Sequence, residues 1–561
     1  MNGHPLVPSH LQSIVTPINL HFWQQELQTH KDKEFTKLIL KGLARGFRIG
    51  FKPETLQHKL KPAKLNMLSA FEHPKEVDDY IAKELSTSHL AVYVNPMVQI
   101  QTSPLGVIPK KGKENRWRLI MDLSAPHGSS VNDGIDRDLC SFHYVSVDTA
   151  AARMHTLGRG ALLAKMDIKQ AYRHIPVAPE DRHLLGLSWK GATYIDQVLP
   201  FGLRSAPLIF SAVADALQWM MINRGVSWTI HYIDNFLTMG APHSKECGSN
   251  MEIMEATCAS AGLPIEPAKS VGPASCLTFL GIELDSVEGV LRLPQEKLQN
   301  IIEILQQWRG YKACKKRNLL SLIGVLSHAA KVVKPGRAFL RRLIDLSTSA
   351  EKLDHFIRLN VEARSDIEWW WQFISRWNGI SAAPSLVHLP PEIQFTSDAS
   401  GAWGCGAYWH PQWFQLKWTN MLSNAHISVK ELTPIVLAVA TWGHLWHCRT
   451  IQVLSDNTAA VAAINNNSSK VRESAHLLRC LAFLSARFQC QITAKHLPGS
   501  HNNISDAISR NQLSQLWIVS PQANPTPTQL SEEVIQLLIA ERPDWTSQRW
   551  STLWNTIFSA E

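Results

Sequence analysis

His231-Tyr232-Ile233-Asp234-Asn235-Phe236-Leu237, read as HYIDNFL, sets one carboxylate between apolar neighbours where two strand-like runs meet, WTIHY and NFLTMG. Burying a charge there is costly unless a cation or a hydrogen-bonding partner holds it. Upstream, the apolar run LLAKMDI ends in a second acid, Asp167. Taken singly, either aspartate reads as a turn or cap residue. Converging on one sheet edge, the two would suit Mg2+, which favours one or two carboxylates plus substrate phosphates, and a two-metal site of that kind performs in-line phosphoryl transfer.

Around this pair, strands and helices alternate. Residues 1–85 read as a helical extension, with helical spacing in LQSIVTPINLHFWQQELQ and a turn-rich exit in GLARGFRIGFKPE. Short strands joined by Pro and Gly follow in AVYVNPMVQIQ, SPLGVIPKK and RWRLIMDLS, then a helix over 147–157 and the strand ALLAKMDI. HLLGLSWKG and ATYIDQVLP lead to the helix SAPLIFSAVADALQWMMINRG, then the opening strand pair, the helix ECGSNMEIMEATCASAG and CLTFLGIELD. Long helical periodicity fills 291–388, and the Pro-rich SAAPSLVHLPPE reads as a linker. A second α/β unit spans 389–512, and 513–561 reads as a Pro/Thr linker with a helical tail. Helices on one face of a sheet, repeated in two blocks, give an α+β multidomain chain.

At ~100–200 residues per domain, 561 residues make three or four domains. The hydrophobic share of 45% and charged share of 18% are those of globular protein and exclude a disordered chain. A net charge of +9, with basic runs Lys110–Arg118 and Tyr311–Arg317, suits phosphate backbones, although such runs are as often solvated faces. The 20 Trp can stack on bases but more often fill cores. Nine Cys without CxxC or zinc spacing read as reduced thiols of an intracellular protein, cytoplasmic or nuclear, and MNGHPLVPSH lacks the apolar stretch of a secretory leader. LTPIVLAVATWGHLW falls short of the ~20 residues that span a bilayer and reads as a core helix, so no membrane partner is expected.

A second set of acids lies downstream: Asp398 within the strand of QFTSDASG, Glu431 near the start of the apolar helix, Asp456 in VLSDNTAA, and Asp506 after HLPGSHNN. Four acids from separate elements, each flanked by apolar sequence, are what a two-metal hydrolase requires.

KMDIKQAY, LPFGLRSAP, YIDN and FLGIEL resemble, in order and spacing, the successive blocks of retroelement reverse transcriptases. The resemblance implies a right-hand polymerase (fingers and palm over 86–290, helical thumb and connection over 291–388). Asp167 and Asp234 would bind the metals, and Tyr172 would be the gate that rejects a ribose 2′-hydroxyl. Lys111 and Arg118 would grip the triphosphate, their point charge and bidentate fork suiting phosphate, and Lys269 would protonate the leaving pyrophosphate. Phe201 and Gly202 would border the substrate; Phe201 stands where retroviral enzymes carry Gln, a form common in gypsy-type elements. Asn235 departs from the pattern, which has a second Asp there. Asn keeps the shape and one acceptor but loses the charge, so a weakened polymerase is expected.

TSDAS, KEL, SDN and HLPGSHNNISDAISR look like a ribonuclease H domain, with Asp398, Glu431, Asp456 and Asp506 as its metal-binding acids and His496 as a mobile histidine for product release or proton transfer. Further stretches, SDIEWWWQFISRWNGIS and HISVKELTPIVLAV among them, are most similar to DIRS-like retrotransposons, which integrate with a tyrosine recombinase. The resemblance implies Mg2+ or Mn2+, two ions per site, and as partners an RNA template, a DNA primer, RNA–DNA hybrid, deoxynucleoside triphosphates and that recombinase. Two alternatives stay open: a ribonuclease H-only enzyme with an inactive polymerase half, and a non-enzymatic nucleic-acid-binding protein descended from a retroelement.

Overall fold

The strand-like runs LLAKMD, TIHY and NFLTMG become a sheet in the computed structural model. The model describes residues 14 and 16–531, except 57, 64, 95–98, 110–116, 139, 141–143, 379–390, 447–448, 470 and 489, together with residue 535. Leu162–Asp167 pairs antiparallel with Asn235–Gly240 on one side and Val271–Ala274 on the other, and Thr229–Tyr232 closes the four-stranded sheet. Helices Ala206–Asn223 and Glu246–Ala261 cover it. The strand pair turns through two residues, Ile233 and Asp234, because Tyr232 pairs with Asn235. Ile233 takes φ +55 there, a region unfavourable for a β-branched residue, and costs on the order of 1–3 kcal/mol. The surrounding ladder sustains that strain and fixes where Asp234 stands.

The chain divides into two compact units, residues 1–149 with 156–280, and 150–155 with 281–561. In the first, the stretch before residue 85 belongs to the common core: Trp23 and Leu27 are fully buried beside Phe210 and Met220, and the Trp23 indole donates to the Ala261 carbonyl at 3.0 Å. The turn expected from Gly42 onward is instead the end of helix Lys33–Arg45. Gly42 serves close packing, since a Cβ there would meet the Phe47 ring at 2.2 Å, and Gly46, at φ +85, makes the turn.

Sequence reading also passes over a buried charge network in this unit. Arg173, 1% exposed, donates from Nε and Nη2 to Glu84 at 3.0 and 2.7 Å. Its Nη1 lies 2.8 Å from Asp196 Oδ1 without hydrogen-bond alignment. Burial raises the Glu84 carboxyl, but His89 and Arg173 outweigh it and hold the group at about 2; burial pushes Asp196 up to about 6 despite Arg173. Breaking such a group leaves uncompensated buried charge, at about 3–5 kcal/mol. Arg173→Met is therefore expected to lower the urea midpoint of the first unit's unfolding by that equivalent, and an unchanged midpoint would refute it.

In the second unit, helices Gln295–Arg309, Lys316–Ala329 and Val361–Trp377 match the long helical periodicity. The expected linker, 381–392, lies outside the described residues except at its end. A five-stranded sheet follows in the order Gln412–Lys417, Gly404–Trp409, Ile393–Ala399, Thr450–Ser455, Gln491–His496, the first three antiparallel and the last two pairings parallel. Helix Ile427–Trp442, almost wholly buried, packs on it as the apolar run predicts, and among the described residues no helix is long and apolar enough to cross a membrane. The stretch read as a Pro/Thr linker packs on the sheet's edge instead: the Trp413 indole donates to the Asn524 carbonyl at 2.8 Å, and Leu516 and Ala523 join Tyr408, Trp413 and Ile508 in a small core. The remaining tail lies outside the described residues.

Candidate active sites

Register places the first site. Asp167 ends its strand directly opposite Asn235, and the amide of Ile168 donates to the Asp234 carbonyl at 3.0 Å, bringing the turn against the strand end. Asp167 is 3% exposed and pairs with Lys269 Nζ at 2.8 Å, a side chain mostly in solvent. Burial and then the Asp167 charge raise the Asp234 carboxyl above its ordinary range, with Lys269 pulling it back. Two like charges at a half-buried edge with one mobile ammonium opposite are a donor set suited to a divalent cation.

Tyr172 follows in the turn Ala171–His174, after Gln170 at φ +51. Its ring lies 5.3 Å from Phe201 and 5.7 Å from Phe210, and burial followed by Asp234 raises its phenol. Phe201 is 54% exposed, and Gly202 next to it takes φ +92. A residue not foreseen from sequence holds this loop: buried Asn132 donates to the Gly202 carbonyl at 2.9 Å and accepts from the Arg204 amide at 2.8 Å. The structure thus brings together Asp167, Asp234, Asn235, Lys269, Tyr172, Phe201 and Gly202. Arg118 stands exposed on strand Trp117–Met121, and Lys111 lies outside the described residues. His231 lies 2.9 Å from Asp215 and stacks on Phe236. Of the basic runs, Tyr311–Arg317 has its Lys315 and Arg317 answered by Asp354.

The second site lies at the five-stranded sheet. Asp398 is one residue from the end of its strand rather than at its middle. Asp456 follows Thr450–Ser455, Glu431 is the fifth residue of Ile427–Trp442, and Asp506 lies in helix Asn503–Ser509. Asp398 feels the charges of Asp456 and Asp506, and Glu431 those of Asp398 and Asp456. Burial, then Asp398 and Asp456, push Glu431 up to about 8; burial, with Asp456 and Asp506 adding to it and the Ser509 hydroxyl opposing, brings Asp398 to about 6. Glu431 Oε2 is buried with no hydrogen-bond partner among the described residues, an orphaned acceptor that a cation would satisfy. The Gly499 turn approaches Asp456, where a Cβ would lie 3.4 Å from Oδ2. His496 is exposed, in register with Ser455, and His501 is exposed in the next turn. Arg510 Nε holds Asp506 Oδ1 at 2.6 Å.

Among the described residues no three His, Cys, Asp or Glu side chains close into a metal cage. At the first site, among the described residues, the carboxylates of Asp167 and Asp234 meet the Asn235 amide. At the second, four acids linked through Asp398 and the orphaned Glu431 oxygen fit divalent ions by the chemistry of the donors.

Residues 108–284 match the family described as reverse transcriptase (RNA-dependent DNA polymerase). The chain is 23% identical over 431 residues to the transposon Tf2-7 and Tf2-3 polyproteins of Schizosaccharomyces pombe; each alignment covers 73% of this chain and 29% of the polyprotein, so the chain spans less than a third of these relatives. Among solved structures it is similar to the foamy viral protease-reverse transcriptase in complex with double-stranded DNA, at 16% identity and TM-score 0.47 over 85% of this chain and 81% of that one. The same protein in complex with RNA/DNA hybrid matches at 16% and 0.47, over 85% and 62%. Asp167, Tyr172, Phe201, Gly202, Asp234, Asn235 and Lys269 all lie inside the segment, residues 108–284, that matches the reverse transcriptase family.

Proposed function

We propose that this chain is an RNA-directed DNA polymerase that also cleaves the RNA strand of RNA–DNA hybrids. The observation that carries the first activity is the register of Asp167 and Asp234 at one sheet edge beside the Tyr172–Phe201 ring pair. Divalent cations, when bound at these acids, supply charge neutralisation at the phosphate and activation of the attacking oxygen. The chain's own groups do the rest. The Tyr172 ring lies under the incoming sugar and excludes a 2′-hydroxyl, Lys111 and Arg118 bind the triphosphate, and Lys269 Nζ gives a proton to the departing pyrophosphate. At the second site Asp398, Glu431, Asp456 and Asp506 hold the ions and His496 assists proton transfer or product release. Hybrid is recognised there by minor-groove shape and 2′-hydroxyls, with little base specificity.

In this reading residues 86–290 are fingers and palm, 291–388 thumb and connection, and 389–512 the ribonuclease H-like domain. The element is DIRS-like, the chain acts inside the cell, in cytoplasm or nucleus, and a tyrosine recombinase works alongside it. Asn235 favours a second reading in which hybrid cleavage outlasts DNA synthesis. Both are tested by assaying the purified protein for primer extension on RNA and for hybrid cleavage, in Mg2+ and in Mn2+. Extension that Asp167→Asn removes while cleavage persists is the expected result. No extension in either ion leaves the nuclease-only reading, and extension unchanged in Asp167→Asn overturns the assignment.

A further inference from the structure

Asp398 is gripped from behind by the helix that carries Asp506. Ser509, fully buried, donates its hydroxyl to Asp398 Oδ2. Asn502, 1% exposed, donates to the Ser397 carbonyl at 3.1 Å and lies 3.4 Å from Asp398 Oδ1. Ser505 and Thr396 hydroxyls meet at 2.6 Å, tying the same helix to the same strand. Ser509 Oγ is also 3.0 Å from the Asp506 carbonyl. One hydroxyl proton faces two acceptors, and the charged one makes the stronger bond.

We propose that Ser509, backed by Asn502, is a positioning residue of the second site: Ser509 engages Oδ2 of Asp398 while Asn502 lies at Oδ1, which fixes the carboxylate's rotamer and ties the Asp506 helix to the Asp398 strand. This rests on reading the four acids as a hydrolytic, metal-binding site. Ser509 itself touches no substrate and acts through Asp398. Partners that orient metal-binding side chains are commonly worth ~10–100-fold in metal affinity or activity.

The test uses the full chain with Asp167→Asn and Asp234→Asn together, which removes both carboxylates of the first site, so that Mn2+ binding followed by electron paramagnetic resonance reports the second. Ser509→Ala in that background is expected to weaken Mn2+ binding and raise the Mn2+ needed for half-maximal hybrid cleavage by ~10–100-fold, with the KM for hybrid and the thermal midpoint little changed. Ser509→Thr, which restores a hydroxyl, is expected to recover most of the affinity. A Ser509→Ala protein whose Mn2+ titration matches its parent overturns the proposal. So does a loss that Ser509→Thr fails to rescue while the thermal midpoint falls with it, because that pattern marks a packing role. Asp398→Asn separates the two levels: cleavage retained in it would overturn the hydrolytic reading itself, whereas cleavage lost in it but full in Ser509→Ala overturns only the positioning role.

Discussion

Asp398→Asn is expected to lower hybrid cleavage by about 10³-fold or more, equivalent to about 4 kcal/mol of barrier at 1.36 kcal/mol per decade, while the protein stays folded. Asp398 is 5% exposed and stands closest to the shared field of the group, with Asp456, Asp506 and Glu431 each acting on it or feeling it. An amide there keeps the volume and an oxygen for the Ser509 hydroxyl, but it removes the charge that would bridge two cations. Stability argues in the same direction, because a charge repelled by Asp456 and Asp506 is gone. A labelled RNA strand in a hybrid duplex, timed over a dilution series of enzyme and accompanied by a thermal melt, measures both. Cleavage within tenfold of the natural protein would remove Asp398 from the site.

Asn235→Asp is expected to raise primer extension by about 100-fold, or about 3 kcal/mol. The register makes the reason concrete: Asn235 is the cross-strand partner of Asp167, so a carboxylate at 235 joins Asp167 and Asp234 at the same edge. The gain has a cost that serves as an internal check. Like charges directly opposite on adjacent strands destabilise by ~0.2–1 kcal/mol, so the variant should melt slightly lower than the natural protein without divalent ion. Added Mg2+ should stabilise the variant more than the natural protein, since a ligand that binds the folded state stabilises by mass action. Equal extension rates for the two proteins would show that the amide at 235 is no handicap.

Much of the frame was legible in the residues. LLAKMD, TIHY and NFLTMG read as short strand-like runs, with Asp167 ending the first and Asp234 in the turn between the other two, and the structure pairs them in one sheet. The apolar run after Glu431 forms a buried helix because it is too short for a bilayer and apolar all round. Local signals misled where tertiary packing overrode them. Gly42 reads as punctuation but is a contact surface for Phe47. The Pro-rich 520–528 reads as a linker, yet its backbone bonds to Pro411 and Trp413 at the sheet edge. Helix Arg472–Arg487 escapes a reading of the second α/β unit that follows its acids alone.

The inventory of chemistry was written in the chain: an acid and an amide at one hairpin with a second acid upstream, four acids in a later block, and the aromatic that follows Asp167. These are short-range facts, and residue type with spacing suffices for them. What holds those groups was not written there. Arg173 finds Glu84 across 89 residues and Ser509 finds Asp398 across 111. A side-chain hydrogen bond depends on angstrom-scale placement of groups far apart along the chain, which periodicity does not encode. Which acids the chain offers is therefore a property of the sequence; which way each one faces, and at what cost in buried charge, is settled by packing.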